Sequence, residues 1–409
     1  MRDLLRSDAV ISLPTMFAGQ LVITMAAFTL PVAAPVALPD MGVPTVFVGF
    51  FTTAVYLVAM GAGLFTGPIL SRLGTVRTMQ VLLCAVIAGV VLFDLGWAAT
   101  AVLGAMTIGL GSGPMNPSGS YILARTTPLR WRPFVFSVKQ CATPSGGMLA
   151  GMIVPAVLVN HGWQAAVGTV GLGAVLVILA IQPARRRLDA DRPARRRVSL
   201  VSVVEPIKLM LRQPQLRAIA VMGFIFAGCQ ITLASYLVVY MTERLGLAIA
   251  SAGALFAIFS FCGIPVRIFW GALAERVLSS RAILILTGFL MAAGFALTAS
   301  FTRDWPGWAF ALVIALLGLS ANGWVGLFFA EIVRLAPEDM AGDASGGGQF
   351  FAYGGIMSMP LLFGALVAAT GSYALGFAVL TAMSLAAAAL LFTSGGKRTG
   401  RPPTASRAA

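Results

Sequence analysis

The sequence predicts an all-α membrane protein, with twelve transmembrane helices arranged as two pseudo-symmetric six-helix bundles. Three observations carry this. Of 409 residues, 58% are apolar and 10% charged, with a mean hydropathy of +0.91, whereas about a quarter of a soluble chain is charged. Apolar runs recur from Leu13 to Leu391, at intervals that fit a helix of about 20 residues and a short connection. Finally, 24 of the 28 Lys and Arg residues fall in alternate connections. Arg244 and Arg303 lie in the others, and Lys139 and Arg267 fall inside spans. By the positive-inside rule both termini and the long central connection are cytoplasmic, which requires an even number of spans. The net charge of +14 therefore reports topology, and no nucleic-acid partner is expected.

Spans are expected near residues 13–36, 45–70, 78–98, 100–124, 133–159, 164–182, 216–240, 248–271, 282–301, 307–333, 344–369 and 373–392. The first follows Arg2 and Arg6 and runs past Leu30 without a small-residue cleavage site, so it reads as an uncleaved helix. The middle spans alternate between short polar turns and basic loops. Residues 183–215, with arginines at 185–187 and 195–197, are too charged to be buried and form a basic cytoplasmic linker within reach of anionic headgroups. This divides the chain into an N-terminal bundle, 1–182, and a C-terminal bundle, 216–392, with a compositionally disordered tail at 393–409. Cys84, Cys141, Cys229 and Cys262 all fall in apolar spans, so no disulfide framework is expected.

The two halves repeat. An offset of 204 to 209 residues aligns Phe17-Ala18-Gly19 with Phe226-Ala227-Gly228, Gly67, Arg72 and Arg77 with Gly271, Arg276 and Arg281, Arg125 and Pro128 with Arg334 and Pro337, and Gln140 and Gly146 with Gln349 and Gly355. Such duplication is how secondary transporters build a central site. The loop Gly67-Pro-Ile-Leu-Ser71-Arg72-Leu-Gly74-Thr-Val-Arg77 resembles the signature loop between helices 2 and 3 of the major facilitator superfamily, with Ser71 where that family has an acid. The second copy, from Gly271 to Arg281, keeps its acid as Glu275 and loses the glycine. The resemblance implies a membrane transporter of that fold, whose loops latch the cytoplasmic side through ion pairs. Arg72, Arg77, Glu275 and Arg276, with Arg125, Glu331 and Arg334 at the ends of spans 4 and 10, are the expected gating residues.

An ionisable group in hydrocarbon is costly unless it faces a polar cavity. Lys139 lies about two turns into span 5 and shares a face with Thr143 and Gly146. Snorkelling of its long stem to the surface is the competing reading. Arg267 lies on a face with Ser260, Gly263 and Gly271, and its forked donors suit an oxyanion. An arginine in helix 8 four residues before the loop glycine is similar to the arrangement in monocarboxylate and oxalate porters of the superfamily, where it holds a carboxylate; membership of the latch network is the alternative. Gly and Pro crowd Asn116 in span 4, as tolerated where backbone lines a cavity or packs closely. With Gln140, Asn322 beside Trp324, and Gln349, it completes the expected substrate-binding set.

The N-terminal cavity helices contain no acid, Asp94 lies near the outer end of span 3, and Glu331 sits three residues before Arg334, an expected intrahelical pair. Two buried cations without a buried acid predict a positively charged cavity and an anionic cargo. The single histidine, His161, excludes histidine-cluster metal sites by count, its place in the expected turn at 160–163 leaves Ser-His-Asp catalysis unexpected, and no phosphate-binding loop occurs. Neither cofactor nor enzymatic activity is expected. The leading expectation is a monomeric, multi-pass transporter of the cytoplasmic (inner) membrane that carries a small organic anion, a monocarboxylate, by proton-coupled symport or anion exchange. An exporter of apolar or cationic compounds and a transport-inactive scaffold or sensor are the alternatives.

Overall fold

The computed structural model describes residues 7–190, 201–337 and 340–394. Among these residues no strand occurs, and eleven segments are long and apolar enough to cross a membrane. Helix α1 spans Ala9–Asp40. The second expected span is divided into α2, Val48–Leu64, and α3, Thr66–Leu73; Pro68 has no N–H to offer the carbonyl of Leu64, so the helix loosens there. Helix α4, Thr75–Asp94, starts directly after Gly74. The fourth span breaks at Gly113-Pro114 into α5, Ala98–Ser112, and α6, Met115–Thr126, where its Gly and Pro density lies.

Spans 5 and 6 form one continuous candidate of 55 residues, Phe134–Leu188. It contains α7, Arg132–Gln140, and α8, Ala142–Ile181. Within α8 the helix is broken at Gly162, whose φ of 82° and ψ of 168° are open to glycine and closed to side-chain-bearing residues. The stretch read as a solvated linker is partly helical, with α9, Arg185–Leu188, and α10, Val201–Arg212. Residues 191–200, and the tail from 395, lie outside the described residues.

The second half contains α11, Pro214–Val239, α12, Ile249–Arg276, α13, Ser280–Ala299, α14, Gly307–Ala321, α15, Trp324–Leu335, α16, Ala341–Thr370, and α17, Tyr373–Thr393. Helices α14 and α15 divide the tenth span as α5 and α6 divide the fourth. In the first half α1 packs chiefly on α8; in the second α11 packs chiefly on α16. Contacts of α8 with α12 and of α2 with α16 join the halves. Several buried hydroxyls are satisfied within their own helices, as where Thr29 donates to the carbonyl of Met25 at 2.8 Å, and these add polarity without demanding a partner helix.

Candidate functional site

A cavity of about 600 Å³ lies between the halves toward the linker end. Asn116, Ser120 and Gln140 line it from the first half, Phe329, Gln349 and Tyr353 from the second, and Pro206 of α10 from the linker. Among the described residues this lining carries no charged side chain. The expected positive charge stands behind the wall.

Lys139 is 1% exposed. Its stem runs over Gly119, where an added Cβ would sit 3.0 Å from the lysine Cε. Nζ donates to Asn116 Oδ1 at 2.5 Å and more weakly to Gln140 Oε1 at 3.5 Å. It does not snorkel. Arg267 donates from Nη1 to the backbone carbonyl of Gln140 at 2.7 Å and from Nε to that of Asn322 at 3.2 Å. Both carbonyls sit at helix breaks, where the C-terminal end of a helix dipole welcomes a cation. That of Gln140 is free because the residue four positions on is Pro144, which has no N–H. Arg267 therefore ties α12 to α7 of the other half. Among the described residues neither cation has a carboxylate within ion-pair distance.

On the other side of Arg267 a chain of amides is closed on itself. Trp324 Nε1 donates to Gln230 Oε1 at 3.0 Å, Gln230 Nε2 donates to Asn322 Oδ1 at 2.9 Å, and Asn322 Nδ2 donates to the carbonyls of Phe259 and Gly318. Asn322 is buried and does not line the cavity. The structure thus brings Asn116, Gln140 and Gln349 to the cavity wall, sets Lys139 and Arg267 behind it, and gives Asn322 a bracing position. Gln230 escaped sequence reasoning, although an amide within the apolar span Pro214–Val239 was the available signal.

The expected gates are distributed unevenly. Glu331, 1% exposed, accepts two hydrogen bonds from Arg334 at 2.6 and 2.7 Å and lies 3.8 Å from Arg281. Arg125 donates to the Tyr121 hydroxyl at 3.1 Å. Arg276 is exposed at the end of α12, and the side chain of Glu275 lies outside the described residues. In the first-half loop, where Arg72 ends α3, the Ser71 hydroxyl turns back to the carbonyl of Pro68. The carboxylate near this loop comes from elsewhere: Asp189 accepts from the backbone N–H groups of Val76 and Arg77 at 2.8 and 3.0 Å, and the Arg77 side chain reaches Gln80.

The end of the molecule opposite the linker is closed around Tyr236, which is fully buried on α11. Its hydroxyl lies 2.8 Å from the carbonyl of Val46 and 3.1 Å from that of Pro360, and it accepts from the Gly49 N–H at 3.2 Å. Ser235 donates to Thr52 at 2.9 Å, and Thr53 to the Met357 carbonyl at 2.7 Å. All of these bonds except that to Pro360 connect one half to the other.

The sequence model described as Major Facilitator Superfamily matches residues 16–360. A relative named nitrite extrusion protein, from Bacillus subtilis (strain 168), is 27% identical over 248 residues, which is 60% of this chain. The match covers 59% of that relative's length. Among solved structures, a peptide transporter POT in complex with sulfate has a TM-score of 0.75 at 14% identity, covering 93% of this chain and 94% of that one. A POT family transporter in complex with 5-aminolevulinic acid has a TM-score of 0.76 at 12% identity, covering 93% and 95%. At these identities the likeness is one of fold.

Proposed function

The chain belongs to the major facilitator superfamily, and from that premise we propose that it is a secondary active transporter of a small organic anion of monocarboxylate size. It would work by alternating access between two six-helix bundles, with proton symport or anion exchange as the coupling. The observation that carries this reading is the pair of cations beside one cavity, Lys139 buried and Arg267 half-buried, without an acidic partner among the described residues. A buried cation without a counter-charge, as Lys139 is, costs several kcal/mol, and a bound anion offsets that cost. Twelve crossings follow if the segment Phe134–Leu188 turns back at Gly162, which sets both termini on the cytoplasmic side of the inner membrane under the positive-inside rule. The described state would then be inward-facing, with the Tyr236 cluster as the outer closure.

The relative's name favours a second cargo, the inorganic anion nitrite. Proteoliposome uptake separates the two: labelled lactate and labelled nitrite are supplied in turn under an inward proton gradient and under counterflow. The anion reading expects uptake of at least one and its loss in a Lys139→Met, Arg267→Met double variant. Uptake that survives this variant, or ethidium efflux in place of anion flux, would refute it.

A further inference from the structure

We infer that the buried charge of Lys139 reaches the cargo through amides, so that Asn116 and Gln140 present their N–H groups to the anion while Lys139 acts as a positioning residue behind them. This rests on the anion-transport reading and specifies how its site works. An ammonium has three donors and no acceptor. Whatever it bonds must turn an oxygen toward it, and Nζ meets Asn116 Oδ1 and Gln140 Oε1. Each amide nitrogen is thereby turned away from the lysine. Both residues line the cavity, and among the described residues neither amide nitrogen has an acceptor. The ammonium also polarises the two amides, which strengthens their N–H groups as donors.

Direct contact by either cation is disfavoured by the same geometry. Lys139 is 1% exposed and pinned over Gly119, and Arg267 spends donors on the carbonyls of Gln140 and Asn322. The cavity therefore offers oriented neutral donors backed by charge. This suits a small monovalent oxyanion, carboxylate or nitrite, whose oxygens accept from two amides; a cationic or donor-only compound would meet the wrong end of every dipole.

The test uses purified full-length protein with acetate and nitrite as probes in isothermal titration calorimetry. Asn116→Ala and Lys139→Met are each expected to weaken binding by roughly tenfold or more, as for loss of a charge-assisted hydrogen bond. The double variant is expected to bind no more weakly than the poorer single variant, because both interrupt one relay. If Asn116→Ala binds as tightly as the wild type or more tightly while Lys139→Met loses binding, the lysine contacts the anion itself and the relay is wrong. Should Lys139→Met fail to fold, Asn116→Ala and Gln140→Ala decide: both must weaken the probes, and unchanged affinity in both overturns the relay. A wild type that binds neither anion overturns the anion-transport reading together with the relay, whereas failure of the relay alone leaves wild-type binding intact.

Discussion

Gly74 and Asp189 show how a backbone bend and a carboxylate cap are fitted together in the first-half loop. Gly74 holds φ 83° and ψ 175°, a region essentially restricted to glycine, and an added Cβ would lie 2.6 Å from the Asp189 carboxyl carbon. The bend exposes the first amides of α4, and Asp189 caps them across the loop. Gly74→Ala is expected to destabilise the protein by about 1–3 kcal/mol and Asp189→Ala by about 1 kcal/mol, with the pair less than additive because both disturb one cap. Thermal unfolding of the purified variants checks this. At the other loop Glu331 is the one carboxylate within ion-pair distance of Arg281 and Arg334 among the described residues. Glu331→Ala leaves the half-buried guanidinium of Arg281 with only the Leu391 carbonyl and the Ser394 hydroxyl, at an expected loss of about 1–2 kcal/mol, read in the same unfolding series.

Among the elements, prolines fix where backbone carbonyls become available, and in the sequence this was recognised at span 4 but not at Pro68 or Pro144. Pro114 divides α5 from α6, Pro68 follows the break between α2 and α3, and Pro144 frees the carbonyl that Arg267 uses. The periodicity of apolar runs located the apolar helices, because a membrane helix needs a fixed apolar length, while twelve spans were expected and eleven candidate segments occur among the described residues. What periodicity could not give was the partner of each freed or polar group. Asp189 meets Val76 from 113 positions away, and Gln230 meets Asn322 from 92; such pairs depend on how helices pack and leave no spacing signal. The candidate cations were legible as charges in apolar runs, but their place behind the amides was not, since it depends on a rotamer and on Gly119. Pro144→Ala tests the element-level account. It restores an N–H four residues after Gln140, which competes with Arg267 for the same carbonyl. The fold is expected to persist, while the tie between α12 and α7 weakens and the maximal transport rate changes more than the half-saturating concentration. Equal kinetics in reconstituted wild type and variant would refute this account.

For the molecule as a whole, the proposed alternating access requires that whatever closes one end be breakable at modest cost. The end opposite the linker meets that requirement, because its closure is made of hydroxyls and backbone groups and contains no ion pair among the described residues. A net hydrogen bond contributes about 1 kcal/mol, so a few such bonds hold a closed state that cargo binding can still redistribute. Tyr236 is the centre: its single proton can go to the carbonyl of Val46 or of Pro360 at any moment, and its oxygen takes the Gly49 N–H. The approach is close enough that a Cβ at Gly49 would lie 2.4 Å from that hydroxyl. Tyr236→Phe keeps the ring that packs on Phe363 and removes only the oxygen. The expected result is a shift by several-fold toward a state open at the end opposite the linker, since about 1.4 kcal/mol corresponds to tenfold in population. A cysteine at Val46, in a background with Cys84, Cys141, Cys229 and Cys262 replaced, reports it: a membrane-impermeant maleimide applied from that side should label the Tyr236→Phe protein several-fold faster than its Tyr236 parent. Unchanged labelling, with both proteins equally folded, would mean that the closure is held by helix packing and that the hydroxyl is incidental to it.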